Sequence, residues 1–155
     1  IGVYATQIAR TYDHHITVIA KKDHSDFLKS LGADETFDYT EVKIFDLKDK
    51  YDIILDLSTH LTLADCQAAL TEDGIFIPAL PNDTNGGNSQ SAQVGYLMVM
   101  NGDGNKLATM IPAIEQGLLV PVIEKTFDFE NYLEAFEHLA KRGKRGRIIL
   151  NVYDF

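Results

Sequence analysis

Four short runs rich in β-branched and other apolar residues recur along the chain: ITVIA (16–20), YDIILDL (51–57), GIFIPAL (74–80) and VGYLMVM (94–100). Each is too short for a helix and apolar enough to be buried on both faces. Between them lie stretches with helical spacing. In residues 25–31, Phe27, Leu28 and Leu31 form a stripe, and Gly32 stands where a glycine cap ends a helix. In residues 61–70, Leu63, Cys66 and Leu70 share a face, and in residues 105–118 Leu107, Met110, Ile111, Ile114 and Leu118 do the same, with Pro112 expected to bend that helix. Strands joined by helices must run parallel, because only a crossover returns the chain to the same end of a sheet. The alternation predicts an α/β fold, a parallel sheet with helices on both faces. Beyond Leu119 the rhythm continues through PVIEKTFDF, a helix carrying Leu133, Phe136 and Leu139, and the strand RIILNV. The polar stretch PNDTNGGNSQS (81–91) reads as a mobile loop.

Composition narrows the function. The 155 residues suit one ordinary domain, and 45% hydrophobic with 24% charged residues is a soluble globular balance. No apolar run could cross a bilayer and no signal peptide is visible, so the chain reads as cytoplasmic, with no membrane partner. Cys66 is the single cysteine, which excludes an intrachain disulfide and a paired-cysteine zinc site; its helical spacing makes it a buried thiol. A net charge of −9 argues against nucleic acid as a partner, and the one basic run, KRGKRGR, lacks interleaved aromatics and reads as a helix-terminating turn. His14 and His15 are adjacent and would point to opposite faces, so no metal site is expected. Asp52 and Asp56 could be paired carboxylates, but solvation of the strand ends is the simpler reading.

The chain opens IGVYATQIAR, without a methionine, and Tyr4, Ile8 and Tyr12 follow Gly2 at four-residue spacing. Gly2 looks like the last glycine of a Gly-rich turn entering a helix. GVYATQIAR, ITVIAKKDHSDFLKSLGADETFDYTE, YDIILDLSTH and IEQGLLVPVIEKTFDFENYLEAFEHLAKRGKRGRIIL together, in this order, resemble the medium-chain dehydrogenase/reductase family, in particular its zinc-free quinone oxidoreductase branch. FLKSLGADETFDY is the most telling match: helix, Leu-Gly-Ala-Asp, then a short strand ending in a tyrosine. The resemblance covers essentially the whole chain. It implies a Rossmann-type doubly wound parallel sheet, truncated before or within its first βα unit, so that the chain would start inside a dinucleotide-binding fingerprint.

A glycine at a helix start lets the backbone approach a pyrophosphate, which the first-turn amides and the helix dipole stabilise. Gly2, Val3 and Tyr4 are the residues expected to do this. At the end of the second strand of such a fold the chain runs Ala20, Lys21, Lys22, Asp23, His24. Cations there favour the extra phosphate of NADP, and Lys21, Lys22 and His24 are the candidates; two exposed lysines on a solvated loop are the plain alternative. By resemblance Tyr39 lies near the same phosphate or the adenine. Leu57, Ser58, Ala79 and Leu80 stand at the C-terminal ends of their strands, where open parallel sheets hold ligands, and should line the ribose and nicotinamide path. The family usually has a glycine pair after its Leu-Asp strand, and this chain has Ser58, Thr59 and His60 instead.

The resemblance implies hydride transfer from NADPH, less readily NADH, to a small-molecule quinone, enone or related carbonyl. Residues 1–118 would form the nucleotide-binding unit and 119–155 the segment rejoining an N-terminal catalytic domain, which leaves no catalytic residue in this chain and the chain alone inactive. A Rossmann-like methyltransferase and a non-catalytic nucleotide sensor are the rival classes. The uncharged, proline-free run 94–100 would be a sheet edge, and edge pairing there predicts a homodimer.

Overall fold

The computed structural model describes residues 1–96, 104–141 and 143–152. In chain order these form α1 (Gly2–Thr11), β1 (Thr17–Ala20), a 3-10 turn (Lys22–His24), α2 (Ser25–Ser30), β2 (Glu35–Asp38), a 3-10 turn (Ile44–Asp46), β3 (Tyr51–Asp56), α3 (Leu63–Gln67) and β4 (Leu70–Pro78). They continue as α4 (Gly104–Ala108), α5 (Ile111–Glu115), β5 (Ile123–Asp128), a 3-10 turn (Phe129–Asn131), α6 (Tyr132–Ala140) and β6 (Arg147–Asn151). The α/β class and the parallel direction are as the apolar periods predict. The single sheet is not: among the described residues the strands form three separate parallel pairs, β1 with β2, β3 with β4, and β5 with β6. β1 and β3 meet through side chains, Ile19 packing against the cluster of Ile44, Ile54, Cys66, Ala69, Leu70 and Phe76. Side-chain contact alone does not bring two backbones to the ~4.8 Å spacing that a ladder requires.

β4 begins at Leu70 rather than Gly74. Tyr51 pairs with Leu70, and the next partners are Ile53 and Ile75, so the intervening residues loop out before regular pairing continues to Asp56 and Pro78. Gly74 permits the excursion, since a Cβ there would lie 2.8 Å from the Tyr51 carbonyl oxygen. Val94 adds an isolated parallel bridge to Phe76, and the expected strand beyond Tyr96 lies outside the described residues. The 81–91 stretch, expected to be mobile, is organised by buried Asn85. Its Oδ1 accepts from the amides of Asn82 and Gly87 at 2.9 Å each, and its Nδ2 donates to the Leu80 carbonyl at 3.0 Å. A polar sequence marks turn chemistry; here the turn residues satisfy one another instead of water.

Helix positions were legible, their burial less so. α2 ends as expected, with Gly32 at φ +107° and the Ala33 amide donating back to the Leu28 carbonyl. The 105–118 pattern forms two short helices, and Pro112 sits in the first turn of α5, where its missing N–H costs nothing, instead of bending one long helix. Leu107, Ile111, Ile114 and Leu118 are exposed, as are Leu133, Phe136 and Leu139 on α6. In α1 the Tyr4, Ile8, Tyr12 stripe is not the buried face. Tyr12 is 70% exposed, whereas the polar pair Thr6 and Gln7 is buried.

Both buried polar side chains are satisfied. Thr6 Oγ1 donates to the Gly2 carbonyl at 3.0 Å. Gln7 Nε2 donates to the Val120 carbonyl at 3.1 Å, and its Oε1 accepts from the Val120 amide at 2.7 Å. This reciprocal pair ties α1 to the point where the chain passes into β5. Gln7→Leu keeps the volume but removes both bonds to Val120, and we expect a loss of about 1–2 kcal/mol. A urea midpoint within error of wild type would show that Val120 finds other partners.

Candidate functional site

The first turn of α1 faces the C-terminal ends of β1 and β3. Between them lies an open cavity of about 340 Å³, closed on its far side by residues 144–147. Of the residues singled out from sequence, Gly2, Val3, Tyr4, His24 and Leu57 line it together. An adjoining cavity of about 180 Å³ is lined by Lys21 and Lys22 with Ser25, Thr36, Asp38 and Glu41; Ala20 and Leu28 border both. Tyr39, Ser58, Ala79 and Leu80 line neither. Tyr39 and Leu80 are exposed, the Ala79 amide donates to the Asp56 carbonyl at 2.8 Å, and the Ser58 hydroxyl donates to Asp56 Oδ1 at 2.6 Å.

Gly2 meets Leu57 closely: a Cβ added to Gly2 would stand 3.2 Å from Leu57 Cδ1. Its lack of a side chain keeps open the cleft between α1 and β3. The Tyr4 amide donates to the Ile1 carbonyl at 3.0 Å, which leaves the amides of Gly2 and Val3 ahead of the first intrahelical bond. Lys21 and Lys22 already face carboxylates, Lys21 Nζ 3.7 Å from Asp23 and Lys22 Nζ 3.9 Å from Glu41. The Lys22 amide donates to Asp38 Oδ2 at 3.0 Å. The hydroxyl and amide of Thr40, then the Lys22 amide, hold the Asp38 carboxyl below its ordinary value against the opposing effect of burial.

Asp56 is not solvated as the strand-end reading expected; it is 3% exposed. It accepts from the amide and hydroxyl of Ser58 and from the Leu61 amide, so that its carboxylate organises the turn after β3. In that turn Thr59 adopts φ +64°. A β-branched residue is strained there, and glycine would adopt that conformation freely. Asp52, by contrast, is exposed.

The basic run KRGKRGR does more than terminate a helix, and the sequence reading missed it. Gly146 lets the loop approach β5, since a Cβ there would sit 2.4 Å from the Val122 carbonyl oxygen. Arg147 lies over the Tyr4 ring with its guanidinium carbon 5.8 Å from the centroid. Arg145 Nε donates to His24 Nδ1 at 2.9 Å, and Nη2 donates to the Asp23 carbonyl at 2.6 Å. Behind them the β5–β6 register slips between Ile123 and Lys125, leaving Glu124 without a ladder partner. Glu124 Oε1 lies 2.6 Å from His138 Nε2, and Oε2 accepts from the Arg145 amide at 2.5 Å. The His138 bond chiefly, then the Arg145 amide, lowers the Glu124 pKa, against burial.

A family profile described as zinc-binding dehydrogenase matches residues 31–150. The chain belongs to that family. It is 27% identical over 137 residues to the chloroplastic NADPH-dependent alkenal/one oxidoreductase of Arabidopsis thaliana, covering 87% of this chain and 33% of that protein. It is 27% identical over 180 residues to the mitochondrial NAD(P)H oxidoreductase RTN4IP1 of Mus musculus, covering 98% and 45%. The fold matches the quinone oxidoreductase from Coxiella burnetii with a TM-score of 0.77 at 20% identity, over 97% of this chain and 49% of that one. The chain therefore spans between a third and a half of the proteins it matches.

The zinc of the family's description does not fit here. Among the described residues no group of three or more His, Cys, Asp or Glu side chains could hold a metal ion. Cys66 is fully buried, and burial, with the carboxylates of Asp56 and Asp65, pushes its thiol up to about 12, so no thiolate is on offer.

Thr59→Gly relieves the strained turn and is expected to stabilise the chain by about 1 kcal/mol, net of the greater freedom of glycine in the unfolded state; a lower thermal midpoint would contradict this. For Glu124 the folded pKa lies below the unfolded value. Its stabilisation is thus complete above the ordinary glutamate range and lost as pH falls through the depressed folded value. Glu124→Gln should lower the melting temperature near neutral pH, with the difference from wild type vanishing on acidification. A difference constant across that range would show that the charge is not what matters.

Proposed function

We propose that this chain is the nucleotide-binding portion of an NADPH-dependent oxidoreductase that delivers hydride to a quinone, enone or related carbonyl acceptor. The observation that carries the reading is the 340 Å³ cavity, where Gly2, Val3, His24 and Leu57 converge in a chain of this family. NADPH fits the residues present. The side-chain-free Gly2 leaves the cleft open, the amides of Gly2 and Val3 precede the helical bonds, and cations gather at the end of β1. Gly2 and Val3 would hold the pyrophosphate, Lys21 and Lys22, with His24 beside them, the ribose phosphate, and Leu57 would border the ribose, with Tyr4 flanking. Tyr39, Ser58, Ala79 and Leu80 would come into play along the more open part of the path. When bound, the dinucleotide supplies the hydride; the protein supplies orientation and exclusion of water. No catalytic residue is assigned to this chain.

A doubly wound sheet would follow if a strand preceding Ile1 lay between β1 and β3. The outward-facing Ile53 and the side-chain contact of Ile19 with the β3 core support that placement. Residues 1–118 then form the nucleotide unit, and 119–155 rejoin the remainder of the enzyme through the exposed apolar face of α6. A homodimer through 94–100 extends the same reading, with Val94 already bridged to Phe76 on the β4 side. No helix among the described residues is long and apolar enough to cross a membrane, and a cytoplasmic place goes with this reading. Every described strand pair is parallel, which favours this reading over a methyltransferase, whose sheet would end in an antiparallel hairpin.

The test is a fluorescence titration of the full-length protein. Lys21→Glu with Lys22→Glu should weaken NADPH by about 10- to 100-fold, the worth of charge-assisted hydrogen bonds, and NADH much less. The 155 residues alone should oxidise no NADPH with a quinone present. Equal losses for both nucleotides, or turnover by the chain alone, would contradict it; binding of adenosyl-methionine in place of NADPH would favour the methyltransferase.

A further inference from the structure

Among the cations around the two cavities, Arg145 differs from the lysines in how it is held. Lys21 and Lys22 are each opposed by a carboxylate, Asp23 at 3.7 Å and Glu41 at 3.9 Å. The Arg145 guanidinium forms no ion pair among the described residues. Its two bonds run to uncharged acceptors, the imidazole Nδ1 of His24 at 2.9 Å and the backbone carbonyl of Asp23 at 2.6 Å. The guanidinium carbon also lies 5.8 Å from the centroid of the Phe27 ring. Neutral acceptors orient a guanidinium without cancelling its charge, and they leave its remaining N–H groups available. The backbone is fixed as well, the Arg145 amide meeting Glu124 Oε2 at 2.5 Å.

This oriented, uncompensated cation borders the larger cavity beside the turn that follows β1, and in a chain of net charge −9 such a concentration of positive charge needs a reason. We propose that Arg145 is the specificity-determining cation of the nucleotide site, binding a phosphomonoester on the adenosine ribose, and that His24 is the positioning residue that aims it. The proposal rests on the nucleotide reading above and refines it. A planar guanidinium can meet two phosphate oxygens through a rigid pair of parallel N–H groups, a geometry that an ammonium lacks. A free ribose hydroxyl offers no charge to meet, so the contact separates NADPH from NADH. Lys21 and Lys22 add a field that their own carboxylates partly offset. Aiming by His24 requires a bare Nδ1, since that nitrogen accepts from Arg145.

The experiment measures dissociation constants for NADPH and NADH by fluorescence titration on the full-length protein, in wild type and variants. Arg145→Ala should weaken NADPH about tenfold or more and NADH less than about twofold. Arg145→Lys retains the charge but cannot keep both anchoring bonds and meet a phosphate, so it should lose most of the discrimination too. His24→Phe, which removes no charge from a neutral imidazole, should lower the NADPH preference several-fold; His24→Asn, which restores an acceptor, should recover part of it. The His24→Phe effect should disappear in the Arg145→Ala background, which a merely structural role for His24 would not produce. Hydrogen exchange at the Lys22 and His24 amides reports on folding of the turn, so a variant that has lost the turn altogether is recognised. Wild-type discrimination left intact in Arg145→Ala, or equal loss for both nucleotides, overturns the inference while leaving the nucleotide reading in place. Failure of wild type to bind either nucleotide overturns both.

Discussion

Three two-stranded parallel pairs have too little ladder between them to stand independently, and one helix touches all three. α1 reaches the first pair through Arg10, whose guanidinium lies 3.5 Å from Asp34 and whose stem presses against Gly32, where a Cβ would come within 2.9 Å. It reaches the second at Gly2 against Leu57, and the third through Gln7 on Val120 and Tyr4 beneath Arg147. The buried face of this helix is polar, so its attachment depends on hydrogen-bond geometry more than on area. Polar attachment of this kind is specific, because each buried donor or acceptor must find its partner or bear the cost of desolvation.

The same helix opens the site. Its first turn, the end of β1 and the end of β3 surround one cavity because Gly2 has no side chain to fill the space beside Leu57. The cavity is completed from the far end of the sequence, by a loop that can approach only because Gly146 also lacks a side chain. A bulge at Glu124 then turns a carboxylate toward His138 and the Arg145 amide, fixing the loop that carries the cations. Local backbone irregularity and site assembly are thus the same feature seen at two scales.

What the fold leaves open is as informative as what it buries. Leu107, Ile111, Ile114 and Leu118 on one side, and Leu133, Phe136 and Leu139 on α6, keep helical spacing yet face outward. Helix amphipathicity is set by the partner a helix has in the whole protein, and the proteins matched here are two to three times the length of this chain.

The sequence by itself determined the α/β class, the parallel direction, the Gly32 cap and the family, because these rest on local periods and on a linear motif such as FLKSLGADETFDY. It also marked Gly2, Val3, Tyr4, His24 and Leu57, which the fold brings into one cavity. It placed a helix after Gly2 but not its buried face, where Thr6 and Gln7 are inward, since a polar residue is buried only when a backbone group such as that of Val120 waits for it. It read Asp56 as solvated because hydrogen-bond partners within a turn are invisible to composition. It dismissed KRGKRGR because no property of that run says that Arg145 will lie against His24, 121 residues earlier in the chain. Only the tertiary structure decided those pairings, because they depend on where separate segments come to rest and not on what each segment is.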